Sequence, residues 1–65
     1  MNPKWILVTR EEDTTPVPVI IRTKDILFID AKGDGSIIFC KDDVDHTVKE
    51  SISQIQRALG AQRAE

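Results

Sequence analysis

The apolar residues of this chain come in short clusters with polar or turn-forming residues between them. Four clusters rich in β-branched or aromatic side chains lie at residues 5–8, 17–21, 26–29 and 37–40. Runs of this length and chemistry are typical of buried strands, and Val44 and Val48 indicate a short fifth strand. The pattern therefore predicts an antiparallel β-meander of four to five short strands.

Turn-forming residues mark the connections between these strands. Residues 32–35, Lys-Gly-Asp-Gly, predict a hairpin because glycine takes positive φ at no steric cost. Residues 41–43 predict a second turn, and residues 23–25 predict a tight polar link. Pro16 and Pro18 each remove a backbone donor from the second strand, which favours a position at the edge of the sheet.

A single helix is predicted near the C-terminus. Ser51 and Gln54 have the spacing of a capping box, and Gly60 is a natural stop after an apolar stripe. Residues 61–65 are expected to fray. The predicted fold class is therefore α+β, one domain over residues 1–65, with the helix packed on one face of the meander. The apolar stripe consists of Ile52, Ile55, Ala58 and Leu59.

The third and fourth strands lead us to expect an oligomer. Residues 26–29 and 37–40 are apolar without alternation, so both faces of the sheet need cover, whereas a helix of about nine residues shields only one. A neighbouring copy would supply the second cover. The alternative is that Trp5 and the N-terminal strand fold over that face within one monomer. The candidate interface residues are Trp5, Leu7, Leu27, Ile29 and Ile38.

Composition narrows the function classes. A chain of 65 residues rarely gains more than about 3–5 kcal/mol from its own core. One cysteine excludes an internal disulfide, and one histidine with one cysteine cannot supply the four ligands of a structural zinc site. No membrane span or secretory signal is evident, so we expect a cytoplasmic protein without membrane insertion.

No group of residues predicts catalysis, a metal or a cofactor. Asp43 and Asp45 alternate with His46 along a strand, so their side chains point to opposite faces. Cys40 ends an apolar strand, where a thiol behaves as a small hydrophobe. The glycines at 33 and 35 lie between strands, with no following helix to bind a phosphate. The sequence therefore predicts a non-enzymatic protein.

Two known patterns resemble this chain. The start at residues 6–10, the Gly-Asp-Gly turn and the Val-Lys-Glu-Ser stretch at 48–51 before an apolar helix resemble the small bacterial flagellar motor-associated family of the FlbD/SwrD type. The strand-turn-strand-strand-helix run also resembles the N-terminal half of the LytTR DNA-binding domain, although the C-terminal strand region of that domain is missing here. The first resemblance implies a role in flagellar systems, and the second implies binding to DNA.

The leading expectation is a self-associating protein-interaction or regulatory module with an unknown protein partner. One alternative is a LytTR-like nucleic-acid binder, which the net charge of −2 and the lack of a basic stripe disfavour. Another is a small-ligand binder whose pocket forms between subunits. The candidate phosphate contacts of the nucleic-acid reading are Arg10, Arg22, Lys24 and Lys32.

Overall fold

The computed structural model describes residues 4–12 and 14–60, so the tail predicted to fray at 61–65 lies outside the described residues. A short 3-10 turn, Thr23–Asp25, follows the second strand. The elements are β1 (Trp5–Glu12), β2 (Thr15–Arg22), β3 (Ile26–Lys32), β4 (Gly35–Cys40), β5 (Val44–Val48) and α1 (Ile52–Ala58).

The five strands form one antiparallel sheet in the order β2-β1-β5-β4-β3. This architecture confirms the predicted α+β fold class with one helix after the strands. The hairpin β1–β2 and the meander β3–β4–β5 form from neighbours in sequence. They meet where β1 pairs with β5 at Arg10 and Val48, next to a 2.8 Å hydrogen bond from the Lys49 amide to the Thr9 carbonyl.

The sheet is strongly curved, because its two edge strands are joined by only three residues, Thr23–Asp25. In a flat sheet the edges would lie about 19 Å apart, since neighbouring strands are spaced by about 4.8 Å. The four backbone steps from Arg22 to Ile26 span at most about 14 Å. The sheet therefore curves, and the inner sides of the β1–β2 hairpin and of the β3–β4–β5 meander contribute to one core.

The core lies on the inner side of this sheet and beneath the helix. Ile38 is fully buried at its centre, and Ile55 of α1 is 1% exposed against it. The helix begins with the predicted capping box, in which the Gln54 amide donates to the Ser51 hydroxyl and the Ser51 amide donates to the Gln54 side chain. The buried apolar residues are Ile6, Val8, Ile21, Ile38, Cys40, Val48 and Ile55.

Both predicted turns have left-handed backbone where the hairpins reverse. Gly33 has φ +56°, and Asp42 and Asp43 have φ +63° and +60°. Glycine adopts this region freely, whereas aspartate does so at some cost because of its Cβ. Among the described residues, no helix is long and apolar enough to cross a membrane.

Candidate interaction face of the first hairpin

One side of the β1–β2 hairpin is turned away from the core. Strand residues alternate between faces, and Ile6, Val8 and Ile21 occupy the core, so their neighbours point outward. Register places the outward residues opposite each other in four rungs. We call this surface the hairpin face, and its rungs are Trp5 with Arg22, Leu7 with Ile20, Thr9 with Pro18, and Glu11 with Pro16.

Three large apolar side chains lie at one end of the hairpin face. Trp5 is 56% exposed, Leu7 65% and Ile20 66%. They border a shallow groove of about 390 Å³, to which Ile6 also contributes. Apolar side chains that cluster in this way are typical of a surface that binds another molecule.

The backbone holds the side chains of this face close together. Pro18 cannot donate to the ladder, so its rung with Thr9 must be a non-hydrogen-bonded pair. The contacts of Thr9 agree, because its amide donates to Glu50 Oε1 at 2.8 Å and its carbonyl accepts from the Lys49 amide, both away from β2. The other rungs of the hairpin face are therefore also non-hydrogen-bonded pairs, in which the two Cα atoms lie about 4.5 Å apart.

Charges of opposite sign stand at the two ends of the hairpin face. Arg22 lies beside Trp5, and its Nε is 3.8 Å from Asp25 Oδ2 in an exposed pair. Exposed pairs of this kind contribute little, and a guanidinium has five N–H donors. Glu11 lies exposed at the other end, beside Pro16. The face therefore carries Trp5 and the Arg22 guanidinium, paired with Asp25, at one end and the Glu11 carboxylate at the other.

The structure divides the predicted interface residues into two groups. Trp5, Leu7 and Leu27 are exposed, with Leu27 at 59%. Ile38 is fully buried and Ile29 packs against the core, so a partner cannot reach Ile38 and reaches little of Ile29. These two positions are removed from the candidate interface because their strand parity turns them inward.

Sequence reasoning missed four exposed apolar residues among those described, Ile20, Phe28, Val44 and Ile52, the last of which belongs to the predicted packed stripe of the helix. Phe28 is 54% exposed although its ring stacks on Phe39 with centroids 4.6 Å apart. Ile20 could have been found from the alternation Pro18-Val19-Ile20-Ile21-Arg22, in which a polar residue and a proline share its parity. A register shift between Ile26 and Phe28 hides the corresponding signal in β3.

The structure does not bring the four candidate phosphate-binding cations together. The Arg10 side chain is half-buried on the core side, with Nη1 3.3 Å from His46 Nδ1. Arg22 lies on the opposite side of the hairpin, and Lys24 follows it in the 3-10 turn. Lys32 ends β3 at the Gly33 turn. They therefore form no single basic stripe.

A second cleft of about 380 Å³ lies where the end of the hairpin meets the β4–β5 turn, and both Cys40 and His46 border it. Burial raises the pKa of the Cys40 thiol, and the carboxylates of Asp25 and Asp45 raise it further. A raised pKa keeps the thiol protonated and weakly nucleophilic. Within residues 4–12 and 14–60, no group of three His, Cys, Asp or Glu side chains converges on a possible metal position.

Comparison of the chain with protein-family models, with curated proteins and with solved structures found no match. The functional reading therefore depends on the surface of the molecule itself.

Proposed function

We propose that this chain is a small non-enzymatic interaction module that self-associates through the hairpin face. The observation that carries the proposal is the exposure of Trp5, Leu7 and Ile20, each more than half exposed on adjacent rungs of one hairpin. Covering such an apolar surface favours association.

The size of the domain supports the same proposal. Complete burial of a large apolar side chain is worth about 1.5–3 kcal/mol. Covering the exposed part of the three side chains would therefore supply about 3–5 kcal/mol per copy, which equals what a core of this size provides by itself. Self-association is the remaining source of stability for a chain with one cysteine.

Sedimentation velocity over about a hundredfold range of concentration tests the proposal directly. We expect the weight-average sedimentation coefficient to rise with concentration and the thermal midpoint to rise in parallel. A constant monomer mass with a constant thermal midpoint across that range would overturn it.

Around this self-association we place a role in a flagellar system, on the strength of the FlbD/SwrD-type resemblance. A second exposed apolar pair, Leu27 and Phe28, lies on the meander rather than on the hairpin and offers a surface to a different protein. Deletion of the gene should impair swimming, and a variant with Leu27→Ser should remain self-associated but fail to restore it. Normal swimming after deletion would remove the flagellar assignment.

A further inference from the structure

We infer that two copies pair face to face through the hairpin face, with the strands of one hairpin running opposite to those of the other. This pairing rests on the proposed self-association and specifies its geometry. A twofold axis lying between the two faces and across the strands reverses the order of the rungs. Trp5 and Arg22 of one copy then face Glu11 and Pro16 of the other, and the same contacts occur a second time by symmetry.

Charge favours this arrangement over the alternative in which the twofold axis runs along the strands. Reversed strands place each Arg22 beside Glu11 of the second copy, so both ends of the interface join opposite charges. A twofold axis along the strands would instead place the two Arg22 side chains at one end and the two Glu11 side chains at the other. Like charges at an interface are unfavourable, and opposite charges fix the register.

The shape of the face agrees with reversed strands. The groove between Trp5, Leu7 and Ile20 lies over the first two rungs, whereas the last two rungs carry Pro18 and Pro16. An axis across the strands keeps β2 opposite β2, so reversal sets Pro18 of one copy against Ile20 of the other, at the side of the groove.

Pairing through the free edge of β2 is disfavoured by the same prolines. The contacts of Thr9 show that the residues of the hairpin face direct their backbone N–H and C=O groups away from the other strand of the hairpin. Pro16 and Pro18 belong to this face on β2, so the outer edge lacks an N–H at both positions. Only Ile20 and Arg22 of this face keep outward N–H groups on β2, so the edge extends the sheet poorly over its proline half, and the face remains available.

The area of the hairpin face indicates a small interface. A ribbon of two strands of eight residues is about 27 Å long and about 10 Å wide, which gives a flat area of about 270 Å². This figure leaves out the additional surface of the protruding side chains. Standard interfaces bury about 800 Å² per partner. The pairing therefore belongs with small interfaces, and we expect a weak dimer that dissociates on dilution.

Charge reversal of the full chain tests the geometry. Arg22→Glu and Glu11→Arg each place like charges at both ends of the interface, and each should weaken dimerisation about tenfold or more. An equimolar mixture of the two variants should form heterodimers with an affinity within about threefold of the parent dimer, because both ends then join opposite charges. Lys32→Glu changes net charge as Arg22→Glu does, but away from the face, and serves as the matched control.

Trp5 gives a second readout, since it is the only tryptophan and lies within the proposed interface. Its fluorescence should shift to shorter wavelength as the parent dimer forms, and Leu7→Asp should abolish both the shift and the dimer. Circular dichroism confirms that each variant is folded, which is expected because these positions are exposed.

The outcomes separate the two proposals. If the parent chain is a monomer throughout, self-association itself is refuted. If the parent dimerises but the mixture of Arg22→Glu and Glu11→Arg shows no recovery, or if Lys32→Glu weakens the dimer as much as Arg22→Glu does, the reversed pairing is refuted while self-association stands.

Discussion

Replacement of Gly35 by alanine should destabilise this domain more than any other exchange of one glycine for one methyl group. Gly35 opens β4 and pairs with Lys32 across the hairpin. A Cβ added at Gly35 would collide with the carbonyl oxygen of Val48 and lie 3.3 Å from both the carbonyl carbon and the Cα of Lys49. All three atoms belong to the backbone, so no side-chain rotation can relieve the contact.

The loss of stability in Gly35→Ala can be worked out from the backbone segments that must separate to make room for the methyl group. Relief requires the start of β4 to separate from the end of β5, where Ser36 pairs with Val48 and the Ser36 hydroxyl donates to the Glu50 carbonyl at 2.8 Å. Overpacking costs about 1–3 kcal/mol, and each weakened hydrogen bond costs about 1 kcal/mol. Reduced freedom of the unfolded chain returns about 0.4–1 kcal/mol. The net loss is about 2–4 kcal/mol, which approaches the whole stability of a domain of this size.

Urea unfolding followed by circular dichroism measures this loss. With a slope of about 1 kcal/mol per molar urea, the midpoint should fall by about 2–4 M for Gly35→Ala. Gly33→Ala is the matched control, because a Cβ there meets nothing within 4 Å and only the φ of +56° is strained. It should cost about 1 kcal/mol, and Gly33→Asn less, since asparagine tolerates that backbone. Equal losses for Gly33→Ala and Gly35→Ala would refute the steric reasoning.

Three further perturbations probe other parts of the fold. Ser51→Ala should cost about 1 kcal/mol of the free energy of unfolding in urea by removing the helix cap, whereas Ser53→Ala, exposed within the helix, should raise it by a few tenths of a kcal/mol because alanine is the better helix former. Asp43→Gly should raise the free energy of unfolding by up to about 1 kcal/mol, because glycine adopts a φ of +60° without strain. A lower urea midpoint for this variant would contradict the reasoning. Burial raises the pKa of the Cys40 thiol in the folded protein. Above about pH 8.5 the thiol therefore ionises in the unfolded chain but stays protonated in the folded one. The free energy of unfolding should fall as the pH rises from there toward the pKa of the folded state. Cys40→Ala should flatten that part of the pH profile, and an unchanged profile would refute the assignment.

The elements were predictable because their signals are local. The capping box at Ser51, the turn at Gly33 and the β-branched runs each act over a few residues, and the structure confirms all of them. The joining of β1 to β5 was not predictable. It rests on a short pairing at Arg10 and Val48, which are far apart in sequence, and no local propensity encodes such a contact.

The location of the exposed apolar surface was predicted only in part. The apolar run at 37–40 indicated two uncovered faces, yet burial alternates along β4, and its outward residues Ile37 and Phe39 are half-buried. Neighbouring strands supply that cover, as when Phe28 stacks on Phe39. On the hairpin, β1 has only one neighbouring strand, β2, along most of its length, because it pairs with β5 only at Arg10. The side chain of Leu7 therefore has cover from one side only. The exposed apolar surface is therefore divided between the hairpin face and the Leu27–Phe28 segment of β3.

The prolines of β2 connect the fold with the proposed function. A two-stranded hairpin that carries large apolar side chains and has a free edge invites open-ended strand addition, which leads to aggregation. Pro16 and Pro18 remove two of the outward donors that such addition needs, and their rings lie on the same face as Leu7 and Ile20. Association is then directed from the edge, where it could continue indefinitely, to the face, where a twofold pairing closes after two copies. Substituting both prolines with valine should therefore increase the mass of the assembly, whereas loss of Leu7 should decrease it.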